Sequence, residues 1–207
     1  GIQAFAAEGQ VDDFEASRAM VKKIEDEVGP VDILINNSGG PSAGLIFYES
    51  PEKFEAAFRQ HVVCNQLLTQ VVVPGMKKNN WGRVINIIST SVMQPIFGLG
   101  VSNTIRAAVA NWGKTLSVEL GKYGITVNNV LPGATNTQRL KGIIDNRASK
   151  NNINSDVVKN EMLHEIPMKR FAEVSEIANA VAFLAAPAAA YITGINLPVD
   201  GGRTSSL

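Results

Sequence analysis

Residues 82–131 read GRVINIISTSVMQPIFGLGVSNTIRAAVANWGKTLSVELGKYGITVNNVL. The apolar run RVINII predicts a buried strand, and ITVNNVL predicts a second one. Between them, a loop rich in hydroxyl groups leads into a predicted helix from about residue 102 to 123. A strand, a long helix and another strand in this order predict a parallel βαβ unit.

The same alternation extends along the chain in both directions. The further predicted elements are a strand in GIQAFAA (1–7), a helix over 12–28, a strand in VDILIN (31–36), a helix over 51–79, a helix over 174–186 and a strand in INLPV (195–199). We find no internal repeat or linker, so we expect residues 1–207 to form one domain. Parallel βαβ units place helices on both faces of the sheet, and such sheets bind ligands beyond the carboxyl ends of their strands.

Two features of this pattern are ambiguous. Residues 138–165 are polar and weakly patterned. This is typical of a mobile lid over a site, but also of a solvated excursion without function. Pro74 lies inside the long helix predicted over 51–79 and should bend or shorten its end.

The composition excludes several classes of partner. Nineteen basic residues balance nineteen acidic ones, so nothing attracts nucleic acid or an anionic membrane. We therefore expect a small molecule or a second copy of the chain as the partner, and no metal. The single cysteine, Cys64, cannot form an internal disulfide and reads as a small buried residue of a helix. Together with the lack of a membrane-spanning run, this favours a cytoplasmic protein.

Four segments resemble motifs of the short-chain dehydrogenase/reductase family. ILINNSGG (33–40) is similar to its NNAG segment, GRVINIIS (82–89) to its serine strand, and ITVNNVLPGATNT (125–137) to its PG-x-x-x-T segment. Residues 166–202 are similar to its C-terminal third. The resemblance implies a Rossmann-like doubly wound parallel α/β sheet. It also implies hydride transfer between NAD or NADP and a small-molecule carbonyl or alcohol.

Compared with the family, this chain starts late. The resemblance implies a first strand, a glycine-rich TGxxxGxG turn and a second strand upstream of residue 1, roughly 50 residues at about 30 per βαβ unit. That missing unit holds the pyrophosphate at a helix N-terminus and selects NAD or NADP, so the choice between the two cannot be read. Gln10–Val11 stand where the family has an Asp–Val pair near the adenine. We expect a structure of this chain to contain no cofactor.

The resemblance assigns the remaining cofactor contacts one by one. They are Asn37, Ser38 and Gly39 at the NNAG positions, Pro132 and Gly133 in the turn beneath the nicotinamide, Thr137 at the carboxamide, and Arg106 at the ribose. Asn36 and Asn37 have an equally good structural explanation, because asparagine at a strand end commonly ties adjacent loops together.

The family's catalytic Asn, Ser, Tyr and Lys align in this chain with His61, Ser89, Ser102 and Arg106. No tyrosine lies between Tyr48 and Tyr123, so a shifted register cannot restore the YxxxK motif. Asn65, one helical turn after His61, is an alternative to it that the spacing disfavours.

This set cannot perform the family's chemistry unchanged. Tyrosine is the family's proton donor, and the hydroxyl of Ser102 is a much poorer acid than a phenol, whose pKa is about 10. Arg106 keeps the positive charge and could hold ribose hydroxyls or a carboxylate, but it does not release a proton. His61 has an ordinary pKa of about 6.5, and we hypothesise that it supplies the proton, directly or through a water.

Each of these residues also has a simpler interpretation. His61 could satisfy a loop carbonyl, Ser102 could be the N-cap of its helix, and Ser89 could be a polar residue at a strand end.

Two functions therefore remain open. The first is an NAD(P)-dependent reductase of a ketone or 3-oxoacyl group with an atypical proton donor. The second is a catalytically silent protein that keeps the fold as a nucleotide-binding or scaffold protein. The resemblance also implies a homodimer or homotetramer that pairs the helices over 51–79 and 102–123. The candidates for the buried face are Phe54, Phe58, Trp112 and Leu116, each of which could instead pack within the subunit.

Overall fold

The computed structural model describes residues 3–8 and 13–206. Within them, four strands form one parallel sheet in the order β1 (Ile33–Asn36), β2 (Gly82–Ile87), β3 (Ile125–Pro132) and β4 (Asn196–Val199). The α-helices are α1 (Phe14–Glu27), α2 (Pro51–Phe58), α3 (Cys64–Asn79), α4 (Gly100–Leu120), α5 (Gln138–Asn151), α6 (Ser155–His164) and α7 (Val174–Ala185). A π-helical turn, Arg59–Val63, joins α2 to α3. Short 3-10 turns cover Ile46–Tyr48, Thr90–Val92, Gly121–Tyr123 and Pro187–Ala189.

Helices cover both faces of this sheet, as the sequence predicts. On one face, α1, α3 and α4 enclose a core that contains Val84 of β2 and Val127 of β3. On the opposite face, Leu184 of α7 packs with Ile85 and Val130. Successive residues of a strand point to opposite faces, so alternate positions of the same two strands supply both cores. The predicted parallel α/β architecture is confirmed.

Four asparagines form one row across the sheet. The strand register pairs Asn36 with Asn86, Asn86 with Asn129, and Asn129 with Asn196. Each side-chain amide donates a hydrogen bond to the next side-chain carbonyl, at 2.9, 2.8 and 2.8 Å. Helix α4 lies against this row at Gly113, where a Cβ would come within 3.0 Å of Asn129 Oδ1. A slip of any strand by one residue would break the row, so it helps to fix the register.

The structure corrects the prediction at the start of the chain. Residues 3–8 are exposed and form no strand, so the strand predicted in GIQAFAA is wrong over its described part. An isolated extended segment has no neighbouring strand to take up its backbone hydrogen bonds. Gln10–Val11 lie outside the described residues.

The polar segment 138–165 is largely helical. Helices α5 and α6 pack around a small core of their own, made by Leu140, Ile144, Ala148 and Val158. The weak sequence pattern conceals this core because few apolar residues suffice to join two short helices. A role as a lid stays a prediction. Pro74 does not shorten α3, which continues to Asn79.

The residues expected at a self-association face differ in exposure. Phe58 is 45% exposed. Phe54, Trp112 and Leu116 are half-buried and pack against cores of the same chain. Self-association stays a prediction. Cys64 is buried at the start of α3, as expected. In the described part of the chain, we find no helix with the length and apolar character needed to cross a membrane.

Candidate active site

His61 lies in the π-helical turn between α2 and α3. Such turns are rare and occur frequently at functional sites. The imidazole is almost fully buried, and its Nδ1 lies 2.8 Å from the Ser38 hydroxyl oxygen. Its Nε2 is buried and has no hydrogen-bond partner among the residues that the structure describes. Asn65, the alternative one turn later, is also buried.

The surroundings of His61 keep its ring neutral. Burial, followed by the charges of Arg106 and Arg139, lowers the pKa of His61 to about 4. At neutral pH the ring therefore carries one proton and no charge. His61 therefore cannot act as a charged imidazolium donor near neutrality. The hypothesis that it supplies the proton is limited to a role of the neutral ring. A neutral imidazole can still relay a proton, by taking one at one nitrogen as it gives one from the other.

Arg106 connects the carboxyl ends of two neighbouring strands. Its guanidinium donates to the Ile87 carbonyl at 2.9 Å, at the end of β2, and to the Ser38 carbonyl at 3.4 Å, in the loop after β1. The side chain is 8% exposed. Burial, with a contribution from Arg139, lowers the pKa of Arg106 to about 10, so it stays protonated at neutral pH.

Arg139 was not expected at this site from the sequence. It is the second residue of α5 and donates to the Gly40 carbonyl at 2.9 Å and to the Pro41 carbonyl at 3.1 Å. A Cβ on Gly40 would lie 2.8 Å from Arg139 Nη2 and 3.3 Å from Arg106 Nη2. Two features of the sequence could have indicated it: its position two residues after Thr137, and the glycine pair that leaves room for its side chain.

Ser102 lies on the same buried face of α4 as Arg106, one turn earlier. It is not the N-cap of this helix, because α4 already begins at Gly100, with Leu99 as the capping residue. The earlier start is held by a hydrogen bond from the Gly100 N–H to the Gly44 carbonyl, at 3.1 Å. The N-cap interpretation of Ser102 is therefore wrong.

Ser89 directly follows β2 and is half-buried. Its hydroxyl accepts a hydrogen bond from the Ser91 N–H at 3.1 Å and so caps the turn Thr90–Val92. This is the simpler structural role considered for it. Its position, two residues after the Ile87 carbonyl that Arg106 binds, also places it at the carboxyl edge of the sheet.

The residues assigned to the cofactor lie along the same edge. Gly133 follows β3, and a Cβ there would come within 2.7 Å of the Asp200 Cα, so no larger residue fits. The Thr137 hydroxyl accepts from the Leu140 N–H at 3.3 Å and caps α5. Pro132 is the last residue of β3. The cofactor contacts of these residues stay predictions.

The loop after β1 provides the other assigned residues. Asn37 and Gly39 are exposed, whereas Ser38 is half-buried and contacts His61. A Cβ on Gly39 would meet nothing within 4 Å. There is therefore open space beside the loop at this residue.

An apolar cavity of about 530 Å³ lies between the loop that contains Gly44 and the loop that contains Gly98. A hydrogen bond of 2.7 Å from the Gly44 N–H to the Gly98 carbonyl joins the two loops. The lining includes Ile46, Phe47, Tyr48, Ile96, Phe97 and Asn103. Since Gly100 and Asn103 also line it, the cavity reaches the first turn of α4, which carries Ser102.

Comparisons with known proteins cover almost the whole chain. A family model described as Enoyl-(Acyl carrier protein) reductase matches residues 2–204. Nodulation protein G of Azospirillum brasilense is 34% identical over 202 residues, which are 98% of this chain and 78% of that protein. The 3-oxoacyl-[acyl-carrier-protein] reductase FabG of Staphylococcus epidermidis is 33% identical over 204 residues, with the same two shares.

Solved structures give the same picture. The crystal structure of YwfH, an NADPH-dependent reductase involved in bacilysin biosynthesis, superposes with a TM-score of 0.89 at 31% identity. The match covers 96% of this chain and 77% of that one.

Proposed function

The chain belongs to the short-chain dehydrogenase/reductase family, and from this premise we propose that it is an NAD(P)-dependent reductase of a small ketone or 3-oxoacyl compound. The observation that carries the proposal is the buried guanidinium of Arg106 at the carboxyl ends of β1 and β2. Members of this family use NAD or NADP, and a relative of this chain is named as a 3-oxoacyl reductase.

The residues at this edge fit the nicotinamide half of such a cofactor. Beside Gly39 there is open space, His61 Nε2 lacks a hydrogen-bond partner among the described residues, and Arg106 offers a buried cation. Ser38 and Arg106 would hold the ribose, while Gly133 and Thr137 would support the carboxamide. When bound, the nicotinamide would supply the hydride.

Arg106 provides electrostatic stabilisation in this proposal. Negative charge develops on the oxygen of a carbonyl group that accepts a hydride. A fixed cation in a buried site stabilises such charge strongly, because little water screens it. Ser102, on the same helical face, and Ser89, at the end of β2, can donate hydrogen bonds to that oxygen. Arg106, Ser102 and Ser89 thus orient and polarise the carbonyl group of the substrate.

The proton then needs a different route from the family's tyrosine. His61 is neutral near pH 7, since its pKa is lowered to about 4. The Nδ1 atom lies against the Ser38 hydroxyl. The ring can therefore accept the Ser38 proton at Nδ1 while it donates its own Nε2 proton to the oxygen of the reduced carbonyl. We assign His61 this relay role. The hydroxyl of Ser38 would be restored from solvent at the half-exposed loop.

The apolar cavity next to the first turn of α4 is the site for the body of the substrate. Its lining is dominated by aliphatic and aromatic side chains, with Asn103 as a polar group on its wall. Pockets of this kind bind by burying apolar surface, and a few polar groups orient the ligand. This fits a short acyl or alkyl ketone.

A second candidate function is a nucleotide-binding or scaffold protein without turnover. It is favoured by Ser102, whose aliphatic hydroxyl stands where the family has its proton-donating phenol. In that case Arg106 and His61 would only bind ligand.

A spectrophotometric screen of the full-length protein separates the two candidates. Both reduced nicotinamide nucleotides are mixed with small ketones, 3-oxo acids and 3-oxoacyl thioesters. Oxidation above the rate without protein supports the reductase. If the protein binds a reduced nucleotide but oxidises it with none of these carbonyl compounds, the result supports the scaffold and contradicts the reductase.

A further inference from the structure

We propose that Arg139, whose guanidinium meets that of Arg106 beside Gly40, binds the carboxylate of the substrate, while Arg106 stays with the reacting carbonyl. The substrate is then a short oxo acid, not a neutral ketone or an ester. The assignment to the substrate rests on the proposed reductase function, whereas the anion site itself does not.

Both cations reach the same point of the loop after β1. The Nη2 atoms of Arg139 and Arg106 lie 2.8 and 3.3 Å from the position that a Cβ on Gly40 would occupy. Arg139 comes from the start of α5 and Arg106 from α4, so two separate elements bring the charges together. A Cβ at residue 40 would clash with the Arg139 guanidinium, so glycine allows the two cations to approach each other here.

No acidic side chain neutralises this pair. Among the residues that the structure describes, neither arginine forms an ion pair, and both donate only to backbone carbonyls. Carbonyl dipoles solvate a cation but leave its net charge. Each guanidinium carries five N–H groups, so donors remain for a ligand. Two like charges, one of them almost fully buried, are stabilised when an anion binds between them.

One further feature makes the site more positive. Arg139 lies in the first turn of α5, which contains no acidic residue, so the helix dipole adds positive potential there. His61 lies close enough to both arginines for their charges to lower its pKa, and it adds no charge to the site because it is neutral near pH 7.

The position of Arg106 limits the size of the acid. Arg106 is proposed to stabilise the reacting carbonyl, and its guanidinium meets that of Arg139 beside Gly40, so the carbonyl and the carboxylate of the substrate would lie close together. This fits a 2-oxo or 3-oxo acid. The planar fork of a guanidinium binds a carboxylate through two parallel hydrogen bonds, which gives specificity over an ester.

A phosphate group shares this oxyanion chemistry, and a nucleotide cofactor carries phosphates. The experiment therefore uses acetoacetate, its neutral methyl ester and inorganic pyrophosphate as separate probes. Binding to the full-length protein is measured by isothermal titration calorimetry without any nicotinamide nucleotide. The variants are Arg139→Gln and Arg139→Lys. Arg147→Gln serves as the matched control, because Arg147 lies on the same helix and pairs with Glu161.

We expect acetoacetate to bind the wild type and the Arg147→Gln variant equally. Loss of the charged fork in Arg139→Gln should weaken this binding about tenfold or more, and Arg139→Lys should fall between them. The methyl ester should be insensitive to residue 139. Thermal unfolding of each variant confirms that it is folded.

Equal affinity of wild type and Arg139→Gln for acetoacetate would overturn the site. Arg139-dependent binding of pyrophosphate without binding of acetoacetate would overturn the assignment to the substrate. Arg139-dependent binding of acetoacetate by a protein that oxidises no reduced nicotinamide would support the anion site and contradict the reductase function. Turnover of neutral ketones alone would support the reductase function and contradict an oxo acid as the substrate.

Discussion

The Nδ1 atom of His61 lies 2.8 Å from the hydroxyl oxygen of Ser38, and this contact joins the π-helical turn to the loop after β1. The ring is buried next to two guanidinium groups, so it is held in its neutral form. The stability of the fold therefore depends on the imidazole to which we assign the proton relay.

Acid should destabilise the protein through His61. Its pKa is about 4 in the folded state and about 6.5 in an unfolded chain, so the unfolded state binds more protons between these values. The free energy of unfolding should therefore fall as pH drops from about 6.5 to about 4, by up to about 1.4 kcal/mol per pH unit. Urea unfolding across this range measures it.

Replacing the titrating ring should flatten this dependence. In His61→Gln the free energy of unfolding should no longer fall through this histidine between pH 6.5 and 4. In His164→Gln, at the exposed second histidine, the fall should remain. An unchanged pH profile in His61→Gln would show that the ring is not held neutral by its surroundings.

The Ser38 contact should appear as a coupling energy. Ser38→Ala leaves a buried ring nitrogen without a partner, and such a group costs about 1–3 kcal/mol. In a His61→Ala background the same change should cost much less. A double-mutant cycle by urea unfolding gives the difference. Ser42→Ala, an exposed serine in the same loop, is the control. Additive effects of the two changes would contradict a direct interaction.

The fold was predictable from the sequence because the spacing of apolar residues and the lengths of the segments indicate strands and helices without knowledge of tertiary contacts. The apolar runs around Ile85 and Val127 and the long helix between them predict a βαβ unit, and the structure contains it. The helices over 138–164 were missed, since their small core produces a weak pattern. GIQAFAA was misread because an apolar run alone cannot show whether a neighbouring strand exists.

The candidate site was less accessible to sequence reasoning. The resemblance pointed to His61 and Arg106, but Arg139 comes from a segment with weak patterning, and only the fold brings it to Gly40. The asparagine row was also missed, although the segments that form β1, β2, β3 and β4 each carry an asparagine. Strand register, which the sequence does not state, places Asn86 opposite Asn129.

Interrupting the asparagine row should cost more at its centre than at its end. Asn129→Val leaves the Asn86 amide and the Asn196 carbonyl without their partners. At about 1–3 kcal/mol for the orphaned buried Asn86 amide, with less added by the exposed Asn196 carbonyl, we expect a loss of roughly 2–3 kcal/mol. Asn196→Val leaves the Asn129 amide without its partner, but it breaks one bond of the row instead of two and should cost less. Chemical denaturation measures both, and equal losses would contradict a cooperative row.

Two glycine-to-alanine changes in helices should have opposite effects on the stability of the fold. At Gly113 a Cβ would lie 3.0 Å from Asn129 Oδ1 and 3.1 Å from Asn86 Nδ2, and these amides are fixed by the row. Gly113→Ala should therefore destabilise the fold. Gly142 in α5 has nothing within 4 Å of a Cβ, so Gly142→Ala should stabilise by up to about 1 kcal/mol. Thermal melting compares them. Stabilisation by both changes would show that α4 does not press on the row.

The turnover number of the full-length protein with Arg106 replaced tests the central claim most directly. It is measured with the reduced nucleotide and carbonyl substrate that give activity. Arg106→Met should lower kcat about 10²–10³-fold, the loss typical for a group that stabilises an oxyanion, and Arg106→Lys should retain part of the rate. Arg18→Met, at an exposed arginine of α1, is the control and should leave kcat unchanged. A folded Arg106→Met variant that turns over at the wild-type rate would contradict the account.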